Sequence, residues 1–253
     1  MVKRKDVLKV LSAVFITLYT KCSLLMPGMD GEMPVAELFL QNVFSGNPSR
    51  EHTKIVIAMF GLLEIVIFNL LFGAHVYRDL YENSAYIFVR EKSRRKWFAG
   101  KTGEILLYSA LYNFLFIGIT FGLCAVRSGQ QIDFMAVKVA VLTYVLITLF
   151  AFWTTLLINL TAMGTGVTVS FIINYILLTL MSLFAIEFEK IPVINRFRVL
   201  LILNPVVNVT INWSTDIGSG LWPALYFVVL CVLTYAVGCV FLQRLDISVK
   251  NRD

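Results

Sequence analysis

A chain of 253 residues with 58% hydrophobic and 15% charged residues is too apolar for an ordinary soluble domain, where about 25% of residues carry charge. Its mean hydropathy is +0.78 and its formal net charge is +6. These values exclude a soluble enzyme, and they argue against a nucleic-acid reader, which carries its basic residues on a folded soluble module.

A membrane-crossing helix needs about 20 mostly apolar residues. Six stretches qualify: Val7–Met26, Ile55–Val76, Ile105–Val126, Phe134–Leu160, Val167–Ile186 and Leu221–Leu242. Backbone amides in lipid need internal partners, which runs of this length find as helices. The expectation is an all-α polytopic membrane protein, one membrane domain over 1–253 with six transmembrane helices.

Lys3, Arg4 and Lys5 open the chain, but Lys21 interrupts the apolar run and no small-x-small site follows. The run is expected to remain as the first span rather than to be cleaved as a signal. The segment Pro27–Thr53 then contains MPVAELFLQNVF, whose Val35, Leu38, Phe39 and Phe44 predict a short helix against the membrane. It reads either as a lid or as a connector covering helix ends.

The second span carries Glu64 near its middle. Intramembrane ionisable groups usually face a bundle interior or a cavity. Lys21 and Lys138 are conceivable partners. Two readings stand: Glu64 lines an internal path with Asn69 and Asn113, or it joins helices together with those amides.

Residues 81–101, YENSAYIFVREKSRRKWFAGK, lie between two spans and hold Arg90, Lys92, Arg94, Arg95, Lys96 and Lys101. Lys and Arg near span ends stay cytoplasmic. With the N-terminus inside, the basic residues at 3–9, 78–101 and 244–252 all fall on that side and outnumber those in the external segments, so both termini are expected in the cytoplasm. Asp79–Val89 predicts a short amphipathic helix, and Ser93 is placed to cap a helix running into the third span. The hairpin reads as a dock for a soluble partner or as a loop bound to anionic headgroups.

Gly100-Lys101-Thr102 resembles the end of a phosphate-binding loop, but GxxxxGK(S/T) requires glycine where Arg95 stands and no strand precedes it. Cys22, Cys124, Cys231 and Cys239 lie in or beside spans without CxxC spacing, so neither a disulfide framework nor a metal site is indicated. Between the fourth and fifth spans, Ala162, Gly164 and Gly166 are expected to permit close helix approach. In Glu187–Gly220, the stretch Asn195–Val207 is too short to cross and too apolar for water, which predicts an interfacial or re-entrant segment. Trp213 and Trp222 suit the interface level, and Asn208 and Asn212 head glycosylation-type triplets.

Six spans, a basic hairpin of the form R-x-x-S-R-x-K-W-F-x-x-K and an apolar external re-entrant segment together resemble the type-2 ABC exporter permeases. The resemblance covers essentially the whole chain and is nearest to small bacterial permeases of peptide and bacteriocin export or immunity. It implies that the hairpin is a coupling element on which a separate ABC ATPase subunit docks through Tyr86, Arg90, Ser93, Arg94, Arg95, Lys96 and Trp97. It further implies a second permease subunit, a path between the two permeases, and location in the cell membrane. ATP and Mg would be held by the partner ATPase and no cofactor by this chain, which is not expected to be an enzyme. The family commonly begins with a longer amphipathic helix than the few residues that precede Val7 here. A proton-coupled transporter using Glu64 and a non-transporting membrane scaffold are the competing readings.

Overall fold

The computed structural model describes residues 8, 11–12, 14–15, 34–44, 62–81, 93–187, 203–210 and 221–244. All regular structure among them is helical: α1 (Val35–Phe44), α2 (Leu63–Phe72), α3 (Arg94–Ser128), α4 (Phe134–Thr165), α5 (Val167–Glu187), α6 (Pro205–Thr210) and α7 (Leu221–Arg244). Residues 75–81 are also helical and follow α2 across a turn at 73–74.

Four helices, α3, α4, α5 and α7, are long and apolar enough to cross a membrane. They coincide with the third to sixth expected spans. The first expected span lies largely outside the described residues, although residues 8, 11–12 and 14–15 are helical and Val14 is buried. The second is described from Leu62 onward, where it is a helix broken at 73–74.

The bundle is arranged around α4, which touches each of the other six named helices. Half of its apolar window is buried, against 22% for α5 and 28% for α7. Its β-branched and aromatic residues supply the enclosed core positions Leu146, Ile147, Phe150 and Leu156. Contacts fix the directions. Ser109 Oγ donates to the Thr148 carbonyl at 3.0 Å, and the Phe114 and Tyr144 rings lie 6.2 Å apart, so α3 runs antiparallel to α4. Phe227 meets Phe150 at 5.5 Å and Trp153 Nε1 donates to Thr234 Oγ1 at 3.2 Å, so α7 runs parallel to it. The start of α3, the end of α7 and residues 75–81 therefore share one end of the bundle, which carries Arg78, Arg94, Arg95, Lys96, Lys101 and Arg244.

Outward faces are as apolar as the interior. Leu107, Leu111 and Phe114 of α3, Ile172, Ile176 and Leu180 of α5, and Val229, Val232 and Val237 of α7 are exposed. Lipid tails accept such faces without penalty, so helix association rests on packing and interhelical hydrogen bonds.

Turn chemistry follows the backbone. Gly129 closes α3 at φ +60°, and Gly166 joins α4 to α5 at φ +88°, conformations in which a Cβ is strained. Gly166 faces open space, so its role is this backbone conformation rather than the close approach expected for it, while Gly164 makes only ordinary contact with Phe241. The close approach occurs elsewhere. A Cβ at Gly238 would lie 2.7 Å from Phe98 Cζ and 2.8 Å from Leu160 Cδ2, where α7 presses on α3 and α4 beside the stacked Phe98 and Tyr235 rings.

The expected helix α1 is present, but its apolar side packs on protein. Val35, Leu38, Phe39 and Val43 are buried, and the Phe39 ring stands edge-on to Phe121 of α3 at 5.6 Å. Residues 203–210 of the expected re-entrant region also fold into the bundle. Asn204 donates to the Met181 carbonyl of α5 at 2.8 Å and accepts from Val206 N at 2.9 Å, which starts α6. Asn208, which heads a glycosylation-type triplet, is buried and bonded to the Asn204 carbonyl. Asn195–Ile202, Asn212 and Trp213 lie outside the described residues.

Gly238→Ala is expected to lower the thermal unfolding midpoint in detergent, at a cost of about 1–3 kcal/mol for overpacking. Gly118→Ala, at an open position on the same bundle, should leave it unchanged or raise it slightly, since alanine is favoured in helices by about 1 kcal/mol. Equal midpoints for the two variants would remove the α7 contact from the fold's constraints.

Candidate functional site

Polar side chains form a column between α2, α3 and α4. Asn69 of α2 is fully enclosed and meets two adjacent hydroxyls of α4. Thr155 Oγ1 donates to its Oδ1 at 2.6 Å, and its own Nδ2 donates to Thr154 Oγ1 at 3.2 Å. Both threonines also bond the Ala151 carbonyl, the usual refuge of a hydroxyl in a membrane helix. Asn113 of α3 donates to the Ser109 carbonyl at 2.9 Å. Tyr112 Oη donates to the main-chain carbonyl of Glu64 at 3.0 Å, joining α3 to α2.

Glu64 itself is completely enclosed in the first turn of α2. Of its two conceivable partners, Lys138 is exposed on α4 and Lys21 lies outside the described residues. Glu64, Asn69 and Asn113 are all interior to the bundle of one chain. Asn69 is the one of the two amides that the structure places directly in an interhelical side-chain bond.

Beyond Asn69 the helix breaks at 73–74. Asn159 of α4 reaches into the break: its Oδ1 accepts from Val76 N at 2.8 Å and Tyr77 N at 3.3 Å, and its Nδ2 donates to the Phe72 carbonyl at 3.3 Å. One amide thus serves groups on both sides of the break, as backbone in lipid requires.

Beyond the break lies a charge cluster at the basic end. Lys101 Nζ sits 2.7 Å from Asp79 and 2.8 Å from Glu104, and His75 Nε2 is 3.2 Å from the same Glu104 oxygen. Lys101 and Asp79 are 17% and 24% exposed, so this pair is shielded enough to matter. The cluster fastens residues 75–81 to the first turns of α3.

Those turns begin at Ser93, whose Oγ accepts from Lys96 N at 3.4 Å as the expected N-cap. Arg94 then donates to the Leu242 carbonyl at 3.1 Å and Arg95 to Gln243 Oε1 at 3.1 Å, both at the end of α7. Trp97, expected on a docking face, is buried in the core because it shares the inward phase of α3 with Phe98 and Ile105. Lys96 is exposed, as is Arg95. Tyr86 and Arg90 lie outside the described residues.

Sequence reasoning missed Asn159 and the Asp79–Lys101–Glu104–His75 cluster. An asparagine inside an apolar span, two turns before a glycine-rich turn, was the available sign of the first. Acidic residues spaced one helical turn from a span-end lysine, as Glu104 is from Lys101, were the sign of the second.

Comparison with known protein families, with characterised proteins and with solved structures finds no match. What is established is a membrane protein of helical bundle architecture with a clamped break and a fastened basic end.

Lys101→Met leaves Asp79 and Glu104 close together without their cation, and is expected to lower the unfolding midpoint well below that of Lys101→Arg. Thermal unfolding of the two variants in one detergent decides this, and matching midpoints would show that the cluster does not hold this end together.

Proposed function

We propose that the chain is the permease subunit of an ATP-driven exporter, multi-pass in the cell membrane with both termini cytoplasmic. A separate ABC ATPase binds ATP and Mg and docks on the residues 81–101 hairpin, and a second permease subunit completes the transporter. The cargo is a peptide or a lipid-like, amphipathic molecule. The observation that carries this reading is the way the hairpin's exit is built. A single helix of 35 residues, about 52 Å at 1.5 Å per residue, starts at Arg94 and crosses the bundle. The hydrocarbon core is about 30 Å thick, so a span helix of this length has its first turns outside it. Those turns are fastened to residues 75–81 and to the end of α7 while Arg95 and Lys96 remain exposed. A load applied at the hairpin therefore reaches the second, third and sixth expected spans together.

Alternating access would follow if ATP-bound partners engage one arrangement of this end better than the other, since a ligand shifts an equilibrium only by its differential affinity. Within this reading, Arg94 and Arg95 serve chiefly to hold α7, and Trp97 to pack the hairpin's base. The contact with the ATPase falls to Lys96 and to Tyr86 and Arg90. The enclosure of Glu64 favours one second reading, a proton-coupled transporter, whose mark would be transport that needs a proton gradient and fails in Glu64→Gln.

The test is gentle purification from native membranes, comparing wild type with Arg90→Glu/Lys96→Glu, which leaves Arg94 and Arg95 and their bonds to α7 intact. An ATPase that accompanies the wild type and is lost from the variant, at an unchanged unfolding midpoint, is the expected result. A chain that purifies without an ATPase in both forms sinks the proposal.

A further inference from the structure

The break in the second span has the construction of a switch. On either side the helical ladder is intact, with Gly73 N bonded to the Asn69 carbonyl at 2.6 Å and Arg78 N to the Ala74 carbonyl at 2.9 Å. In an unbroken helix Val76 N–H would bond the Phe72 carbonyl and Tyr77 N–H the Gly73 carbonyl. Instead the Asn159 amide stands between them, accepting from both amides and donating to Phe72. Insertion of a side chain into the ladder is a recognised cause of helix kinks. Asn159 is itself steadied by a 2.8 Å bond from Nδ2 to the Thr155 carbonyl.

Gly73 makes room for this. A Cβ there would run into the Asn69 carbonyl oxygen and fall 2.8 Å from Phe171 Cζ and 3.1 Å from Ile158 Cγ2. Its φ of −62° and ψ of −20° are close to helical, so little rotation separates the broken ladder from a continuous one.

The two halves of the span are held by different kinds of contact. The half before the break is bonded to α4 through Asn69 with Thr154 and Thr155 and to α3 through the Tyr112 hydroxyl. The half after it is tied to α3 through Lys101, Asp79, Glu104 and His75. The Asn159 amide is the hydrogen-bonded link from that second half back to α4.

We propose that residues 72–77 form a two-state hinge: clamped, with Asn159 inserted in the ladder, and continuous, with Val76 and Tyr77 bonded to Phe72 and Gly73 and Asn159 withdrawn to the Thr155 carbonyl. Val76 N, Tyr77 N and the Phe72 carbonyl have partners in both states, and on passing to the continuous state the Gly73 carbonyl gains a donor while Asn159 Oδ1 gives up its two. The inner half moves with the first turns of α3 against α4. This deepens the exporter reading, because it names the joint through which hairpin movement would enter the bundle, but the hinge is measurable without transport or an ATPase.

The experiment is double electron–electron resonance in nanodiscs between spin labels at Arg78→Cys and Thr165→Cys, both exposed positions, in a background with the native cysteines replaced by alanine. The wild-type distance should be that of the clamped state with a minor second population. Asn159→Leu, which offers no bond to the ladder, should move the distribution to the second distance. Asn159→Ser is the milder variant: its hydroxyl bonds the Thr155 carbonyl, as Thr154, Thr155 and Thr161 bond carbonyls within α4, and is too short to reach Val76. It should move the distribution in the same direction even if the leucine variant does not fold. An unchanged single distance in the folded Asn159→Ser protein overturns the hinge and leaves Asn159 a static cap. Loss of ATPase co-purification would bear on the exporter reading alone.

Discussion

Backbone groups inside a membrane must find partners within the protein, and the bundle depends on how α4 meets that demand for its neighbours. Between helices in lipid there is no hydrophobic driving force, so close packing and a few interhelical hydrogen bonds decide which faces meet. The bonds here mostly link a side chain of one helix to the main chain of another: Ser109 to Thr148, Tyr112 to Glu64, Tyr175 to Val66, Asn204 to Met181. Each contributes about 0.6 kcal/mol on the average measured in membranes, too little to hold a bundle. Their effect is on register. A helix that slid by one turn would leave those side chains in hydrocarbon with no acceptor, at a cost of several kcal/mol per group.

Electrostatics at the basic end follows from a conflict that the fold resolves. Arg94, Arg95 and Lys96 occupy the first turn of α3, the positive end of its dipole, where each cation costs about 0.3–1 kcal/mol. The end of α7 lies alongside and has the opposite polarity. Arg94 and Arg95 reach across to it, and Arg94 takes one of its last carbonyls, which satisfies an orphan acceptor and offsets the repulsion. Basic residues at this end are thereby made to tie α3 and α7 together. Lys101 is used in the same way against Asp79 and Glu104.

The spans that became α3, α4, α5 and α7 were legible because apolar length alone identifies them, and the Ser93 cap because capping is local chemistry. The helix broken at 73–74 was not. Gly73 passes through a hydropathy window as a neutral residue, and the amide that repairs the ladder lies more than eighty positions away in Asn159. Counting Lys and Arg gave a polarity to the ends but hid the cluster, since that count ignores Asp79 and Glu104. Trp97 was read with the charged residues around it. Its phase on the helix that Ser93 caps, shared with Phe98, Ile105 and Tyr112, is what places it in the core. Long-range pairing, not local propensity, is what a single sequence conceals here.

Where the polar groups lie bears on the proposed cargo. Glu64, Asn69, Asn113, Thr155 and Asn159 are enclosed within one chain, so a path between two copies in this arrangement would not be lined by them. Surfaces that a second copy or a cargo could meet, along α5 and α7, present Ile172, Ile176, Val229 and Val232. A hydrophilic peptide drawn along such faces would lose its water without gaining hydrogen bonds, an uncompensated cost of several kcal/mol for each buried polar group. A lipid-like or amphipathic molecule would keep its polar part at the interface and slide its apolar part over the same side chains. On the exporter reading, the enclosed amides therefore belong to the machinery that moves the helices, and the apolar faces to what is moved.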